Sequence, residues 1–150
     1  MKHYKNLTIF FVSYYSKKTI FKIVKKLDSR IKIIIIDNAN EKGLKDYFEK
    51  KFNNVRVIIS KYNSGQTGGI NEGFRNIKTK YAIYMDSDVN FSSNIIGKFL
   101  DIADLIKAFI ILAPQHERSF YKKEFFSDKS NKFKDFNLMK LVHGQFLFFL

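Results

Sequence analysis

The chain has 150 residues, 45% of them hydrophobic, which suits one domain around a single core and sets disorder aside as the default state. It has no cysteine, which excludes disulfide frameworks and thiolate metal sites and fits a reducing compartment. The formal charge of +13 points either to an anionic partner or simply to a lysine-rich composition, and 23 of the 27 basic residues are Lys rather than Arg, scattered along the whole chain.

In chain order, Leu7 to Tyr14 is an apolar, β-branched and aromatic run that predicts a buried strand. Ser16 can cap a helix whose inner face carries Ile20, Phe21, Ile23, Val24 and Leu27. Ile31 to Ile36 is the clearest strand and ends at Asp37-Asn38, a short helix follows around Leu44 to Phe52, and Val55 to Ser60 is a third strand. A helix begins inside the glycine- and asparagine-rich segment Asn63 to Gly73 and runs to about Asn76. Tyr81 to Met85 is a fourth strand, ending at Asp86, and Ser92 or Ser93 caps a helix to about Ile106. The only proline, Pro114, closes a fifth strand over FIILA, residues 117–137 form a long polar surface loop or excursion, and Leu138 to Leu150 forms a last strand. The β-α-β-α-β-α-β-α order predicts one α/β domain over residues 1–150, with a mainly parallel sheet and helices on both faces.

No apolar run reaches the roughly 18 residues of a membrane span. The longest, Ile102 to Ala113, is broken by Asp104 and Lys107. The polar N-terminus does not read as a secretory signal. With the missing cysteines, these features make a cytoplasmic location the expectation. No zinc-finger or RNA-binding signature accompanies the lysines, so nucleic acid is not an expected partner.

Ligands of open parallel sheets sit at the carboxyl ends of strands, where this sequence collects its polar residues: Ser13-Tyr14, Asp37-Asn38, Asn63 to Gly73 and Asp86-Ser87-Asp88. Two carboxylates one residue apart, Asp86 and Asp88, can hold Mg²⁺ or Mn²⁺ together with waters and substrate phosphates, or can form an ordinary polar turn. An EF-hand is excluded, because Phe91 stands where the loop needs Gly and Gly97 where it needs Glu. A D-x-D phosphatase of haloacid-dehalogenase type is a weaker alternative, since about 85 residues precede the motif here. The glycine-rich segment matches neither the dinucleotide fingerprint nor a P-loop. It suits either close approach of backbone to a ligand or a turn into a helix. Asp37 can accept from a nucleobase N–H or close an Asx-turn.

Taken jointly, V-S-Y at 12–14, D-N-A-N at 37–40, N-x-G-x-x-G-G-x-N-x-G at 63–73, Y-M-D-S-D-V at 84–89 and V-H-G at 142–144 resemble family 2 glycosyltransferases of the GT-A fold. The glycine-rich piece is most similar to the bacterial branch with rhamnosyl- and galactofuranosyl-transferases. The resemblance implies transfer of a sugar from a nucleotide-sugar donor to a glycan or lipid-linked acceptor, assisted by Mg²⁺ or Mn²⁺. It implies that Asp37 contacts the base, and that backbone at Ser13 and Tyr14 lines the base and ribose pocket. Asn63, Gly65 and Asn71 would shape the donor pocket, Asp86 and Asp88 would hold ribose and metal, and His143 and Gly144 would border the acceptor. It also implies work at the inner face of the cell membrane, where the positive charge would meet an anionic surface.

The family's general base lies on a later acidic segment, whereas nothing after Gly144 is acidic here. The resemblance therefore assigns no catalytic residue within the chain. It predicts a donor-binding half, incomplete at its C-terminus and inactive alone, or else a nucleotide-binding module without transfer activity. The apolar end, Leu141 to Leu150, would form a strand with unpaired backbone and poor solubility if left uncovered.

Overall fold

The computed structural model describes residues 4–90, 94–106, 111–112, 132–133, 136–137 and 146–149. After a 3-10 turn at Tyr4–Asn6, the chain alternates β1 (Leu7–Ser13), α1 (Lys17–Val24), β2 (Lys32–Asp37), α2 (Leu44–Glu49), β3 (Val55–Ile59), α3 (Gly65–Arg75), β4 (Tyr81–Met85) and α4 (Ile95–Ile106). Four short strands follow, β5 (Ile111–Leu112), β6 (Lys132–Phe133), β7 (Phe136–Asn137) and β8 (Phe146–Phe149).

The main sheet has the order β3-β2-β1-β4-β8-β5. β1 lies between β2 and β4 and is parallel to both, with Phe10 opposite Ile34 on one side and Tyr84 on the other. The chain winds outward from β1 to β3 and then returns to the other side of β1, so a topological switch point falls between β1 and β4.

Alternation along the strands divides the core in two. Leu7, Ile9, Phe11, Ile33, Ile35, Val57, Ile83 and Met85 face α1, α2 and α4, where Ile20, Ile23, Leu44, Phe48, Ile96 and Leu100 cover them. Phe10, Ile34, Ile36, Ala82 and Tyr84 face the other way and pack against Ile70 and Phe74 of α3. Helices on both faces of a mainly parallel sheet are thus present as predicted.

α3 lies very close to β1 because Gly69 and Gly73, one turn apart, face the strand. A Cβ on Gly69 would stand 2.6 Å from Val12, and one on Gly73 would penetrate the Phe10 ring. These glycines serve packing. Gly65 instead uses glycine's conformational freedom, entering the helix at φ 69°.

Among the described residues β3 is an outer strand of the sheet, and α2 covers part of its free edge. Glu49 accepts the Val57 N–H at 2.8 Å, and Lys45 donates to the Val57 carbonyl at 3.2 Å. The same two side chains pair with each other at 2.9 Å.

Several expectations are corrected. Ser16 precedes α1 but makes no side-chain cap; its hydroxyl donates to the Tyr14 carbonyl. α1 stops at Val24, so Leu27 packs on the core from beyond the helix. The polar stretch 117–137 holds a small antiparallel pair, β6 with β7, and is not loop alone. Of the predicted terminal strand the structure describes Phe146–Phe149, which pairs antiparallel with β4 along its length and with β5 at Phe148 and Phe149. Pro114, Ser92 and Ser93 lie outside the described residues.

Candidate functional site

The carboxyl ends of β1 and β4 and the start of α3 enclose an open cleft of about 460 Å³, lined by Val12, Tyr14, Ser16, Asn38, Asn63, Gly65, Gln66, Tyr84, Asp86, Ser87 and Asp88. That volume falls within the range of small-molecule sites, at the position where open α/β sheets bind ligands. The first residues of α3 line it, so the positive end of the helix dipole is turned to the cleft.

Asn38 organises the floor. Its amide donates to the Gly65 carbonyl at 2.8 Å, and its side-chain oxygen accepts from the Ser60 hydroxyl at 2.9 Å. One buried side chain thereby ties the ends of β2 and β3 to the entry of α3. Asn63 accepts the Gly65 N–H at 3.0 Å and shapes the same entry. On the far wall, Tyr84 donates its hydroxyl to Asp86 Oδ1, and Gln66 reaches the Tyr84 hydroxyl at 2.9 Å and Asp86 Oδ1 at 3.3 Å. Burial, reinforced by the Asp86 carboxylate, pushes the Tyr84 phenol well above its ordinary value, so it stays a donor. At the rim Tyr14 is 58% exposed and packs edge-to-face on Tyr15 at 5.0 Å. Tyr15 holds φ 55°, a left-handed conformation uncommon for a bulky residue.

Of the residues singled out in sequence, Tyr14, Asn63, Gly65, Asp86 and Asp88 line the cleft together. Ser13, Asp37 and Asn71 do not. Ser13 is fully buried on the opposite face of β1, and its carbonyl accepts the Asn38 N–H at 2.9 Å. Its hydroxyl has no hydrogen-bond partner among the described residues. Asp37 is 1% exposed, and its two oxygens accept the N–H groups of Ala39 at 3.1 Å and Glu41 at 2.9 Å. This is the turn-closing geometry, and burial outweighs those bonds to raise its carboxyl above the usual range. Asn71 sits two residues past the sheet-facing Gly69 and is exposed on the outer side of α3. His143 and Gly144 lie outside the described residues. Asn38 and Gln66 stand within the polar segments at the strand ends and Tyr84 heads Y-M-D-S-D-V, but the sequence assigns none of the three a role. Their one signal was adjacency to Asp37, to the glycines and to the D-x-D motif.

Among the described residues no cluster of three or more His, Cys, Asp or Glu forms a ready-made metal cage. Asp86 and Asp88 supply two hard oxygen donors at the cleft wall. That set fits a Mg²⁺ or Mn²⁺ ion that takes its other ligands from water and phosphate.

Fold and cleft define an α/β protein whose ligand site lies at the switch point of a parallel sheet. The sequence model of glycosyl transferase family 2 matches residues 9–149, and the chain belongs to that family. It is 30% identical over 91 residues to dolichyl-phosphate beta-glucosyltransferase of Saccharomyces cerevisiae, a match covering 55% of this chain and 25% of the yeast protein. Among solved structures, the mannosyltransferase PcManGT from Pyrobaculum calidifontis, in complex with GDP-Man and Mn²⁺, aligns with TM-score 0.53 and 12% identity over 61% of this chain and 30% of that one. S. aureus TarS 1-349 aligns with TM-score 0.56 and 15% identity over 66% of this chain and 32% of its own. The chain thus spans a quarter to a third of the length of these proteins. No helix of the described residues is long and apolar enough to cross a membrane.

Proposed function

We propose that this chain forms the donor-binding part of a glycosyltransferase that moves a sugar from a nucleotide-sugar to a glycan or lipid-linked acceptor, with Mg²⁺ or Mn²⁺ held by Asp86 and Asp88. The observation that carries the reading is the convergence of those carboxylates, Tyr14, Asn63 and the start of α3 on one cleft. Tyr14 offers an exposed ring on which a base can stack. Gly65 lets backbone approach the ligand without a side chain in the way. A divalent cation bound there neutralises charge on the departing nucleoside diphosphate. The proton of the attacking acceptor hydroxyl goes to a carboxylate in this chemistry, and we assign that role to no residue here.

The names of the similar proteins support this reading, since one acts on dolichyl phosphate and another holds GDP-Man with Mn²⁺. The likeness of the glycine-rich segment to bacterial rhamnosyl- and galactofuranosyl-transferases makes nucleotide conjugates of those sugars the first donors to try. The positive charge suits a peripheral contact with an anionic membrane at the cytoplasmic face, where lipid-linked acceptors would be met.

Calorimetry with UDP, GDP and dTDP, with and without Mn²⁺, tests the proposal. Metal should tighten binding of at least one of them, and the Asp86→Ala, Asp88→Ala double variant should lose most of that gain. Metal-dependent affinity that survives in the double variant would remove both residues from the site.

A further inference from the structure

Asp86 is not alone at the cleft wall. Tyr84 stands two residues earlier on β4, and the strand's alternation turns both toward α3. The Tyr84 hydroxyl donates to Asp86 Oδ1, while the Gln66 amide from the first turn of α3 donates to both the hydroxyl and the carboxylate. Tyr84 is itself wedged: its ring lies 5.4 Å from Phe10, which in turn meets Phe74 at 5.2 Å. A phenol locked by the core therefore holds a carboxylate at the edge of the cleft. A flexible carboxylate at a strand end would have to be ordered by each ligand that arrives.

We propose that Tyr84, supported by Gln66, is a positioning residue that sets the orientation of the Asp86 carboxylate for metal-assisted binding of the donor diphosphate. The inference rests on the assignment of Asp86 to the metal and donor site. It also couples the two walls of the cleft, because Gln66 belongs to α3 and Asp86 to the loop after β4. An apolar residue at position 84 would fill the core equally well, so packing alone does not call for a hydroxyl there. Loss of a partner that orients a metal-binding carboxylate typically costs about 10–100-fold in metal affinity.

The test uses the full chain and Tyr84→Phe, which removes one oxygen and keeps the ring packing. The readout is the ratio of UDP and GDP affinity in Mn²⁺ to that in chelator, measured beside the melting temperature. A purely structural hydroxyl would shift the melting temperature and leave the ratio alone. The expected result is a ratio lowered roughly tenfold in Tyr84→Phe and by less in Gln66→Ala. Gln66→Ala should cost less on top of Tyr84→Phe than it does alone, since both act through one network. An unchanged ratio in Tyr84→Phe overturns the inference while leaving the proposed function standing. Absence of metal-dependent binding in the unaltered chain overturns both.

Discussion

The two faces of the sheet are built on different terms. On the side of α1, α2 and α4, large side chains such as Ile20, Phe48 and Leu100 keep the helices at side-chain distance. On the side of α3, Gly69 and Gly73 let helix backbone come down onto Val12 and Phe10. The cleft opens on this second side. Val12, Tyr14, Tyr84 and Asp86 turn toward α3, while Ser13 and Asp37, one residue out of step, are buried on the other face. The comparison teaches that one face carries stability and the other carries both stability and the cleft, with strand alternation deciding which polar residue serves which.

The largest expected effect comes from Gly73→Ala. A methyl there gains about 1 kcal/mol of helix propensity but drives into the Phe10 ring, which Phe74 and Tyr84 hold in place. Overpacking of a rigid core costs about 1–3 kcal/mol and more where nothing can shift, so a net loss of about 2 kcal/mol is expected in chemical denaturation. Because α3 also lines the cleft, nucleotide affinity should fall with it. Unchanged affinity in the folded variant would break the link between close packing and the site.

Asp37→Ala comes next. Two N–H groups of the turn lose their acceptor, at an expected cost of about 1–2 kcal/mol. Preference between UDP and GDP should not change, since the carboxylate is buried in its turn. A flattened preference would mean that Asp37 reads the base as well as closing the turn.

The smallest effect belongs to the surface of the α1 side. The Arg30 guanidinium, hydrogen-bonded to Asp28 at 2.7 and 2.8 Å, holds the Asp28 carboxyl at about 2 against an ordinary 3.8. A carboxyl depressed in the folded state adds stability above its unfolded value, and that contribution is lost as pH falls from about 3.8 through about 2. The pair is solvent-facing, so Asp28→Asn should cost no more than about 1 kcal/mol at neutral pH. The variant's deficit should vanish near pH 2, with ligand binding untouched throughout. A deficit that persists in acid would assign the effect to something other than this ion pair.

The strands were legible in sequence because burial on both faces leaves near-continuous apolar runs: Tyr81–Met85 matches end to end, and Lys32–Asp37 is shifted by one residue. That same property hid the site. A run buried on both sides carries no mark of which face meets which helix, so Ser13 could not be told from Tyr14, nor Asp37 from Asn38. Asn71 belongs to the glycine-rich motif, yet the helix phase set by Gly69 and Gly73 turns it outward. Tyr84 reads in sequence only as a strand residue, because its hydroxyl finds partners only when the fold brings Asp86 and Gln66 beside it. The antiparallel placement of β8 depends on pairing with β4 and β5, a non-local choice that no local pattern encodes.

The clasp of Lys45 and Glu49 on Val57 has a consequence for the company this protein keeps. An outer strand recruits other chains through its vacant amide and carbonyl groups, and here two side chains imitate the neighbour that is missing. An incoming peptide or second copy seeking to lengthen the sheet beyond β3 would first have to evict both from Val57. The counterfeit rung is a single residue wide, but strand addition proceeds rung by rung, and a stalled rung in mid-strand suffices to deny a foreign strand its register.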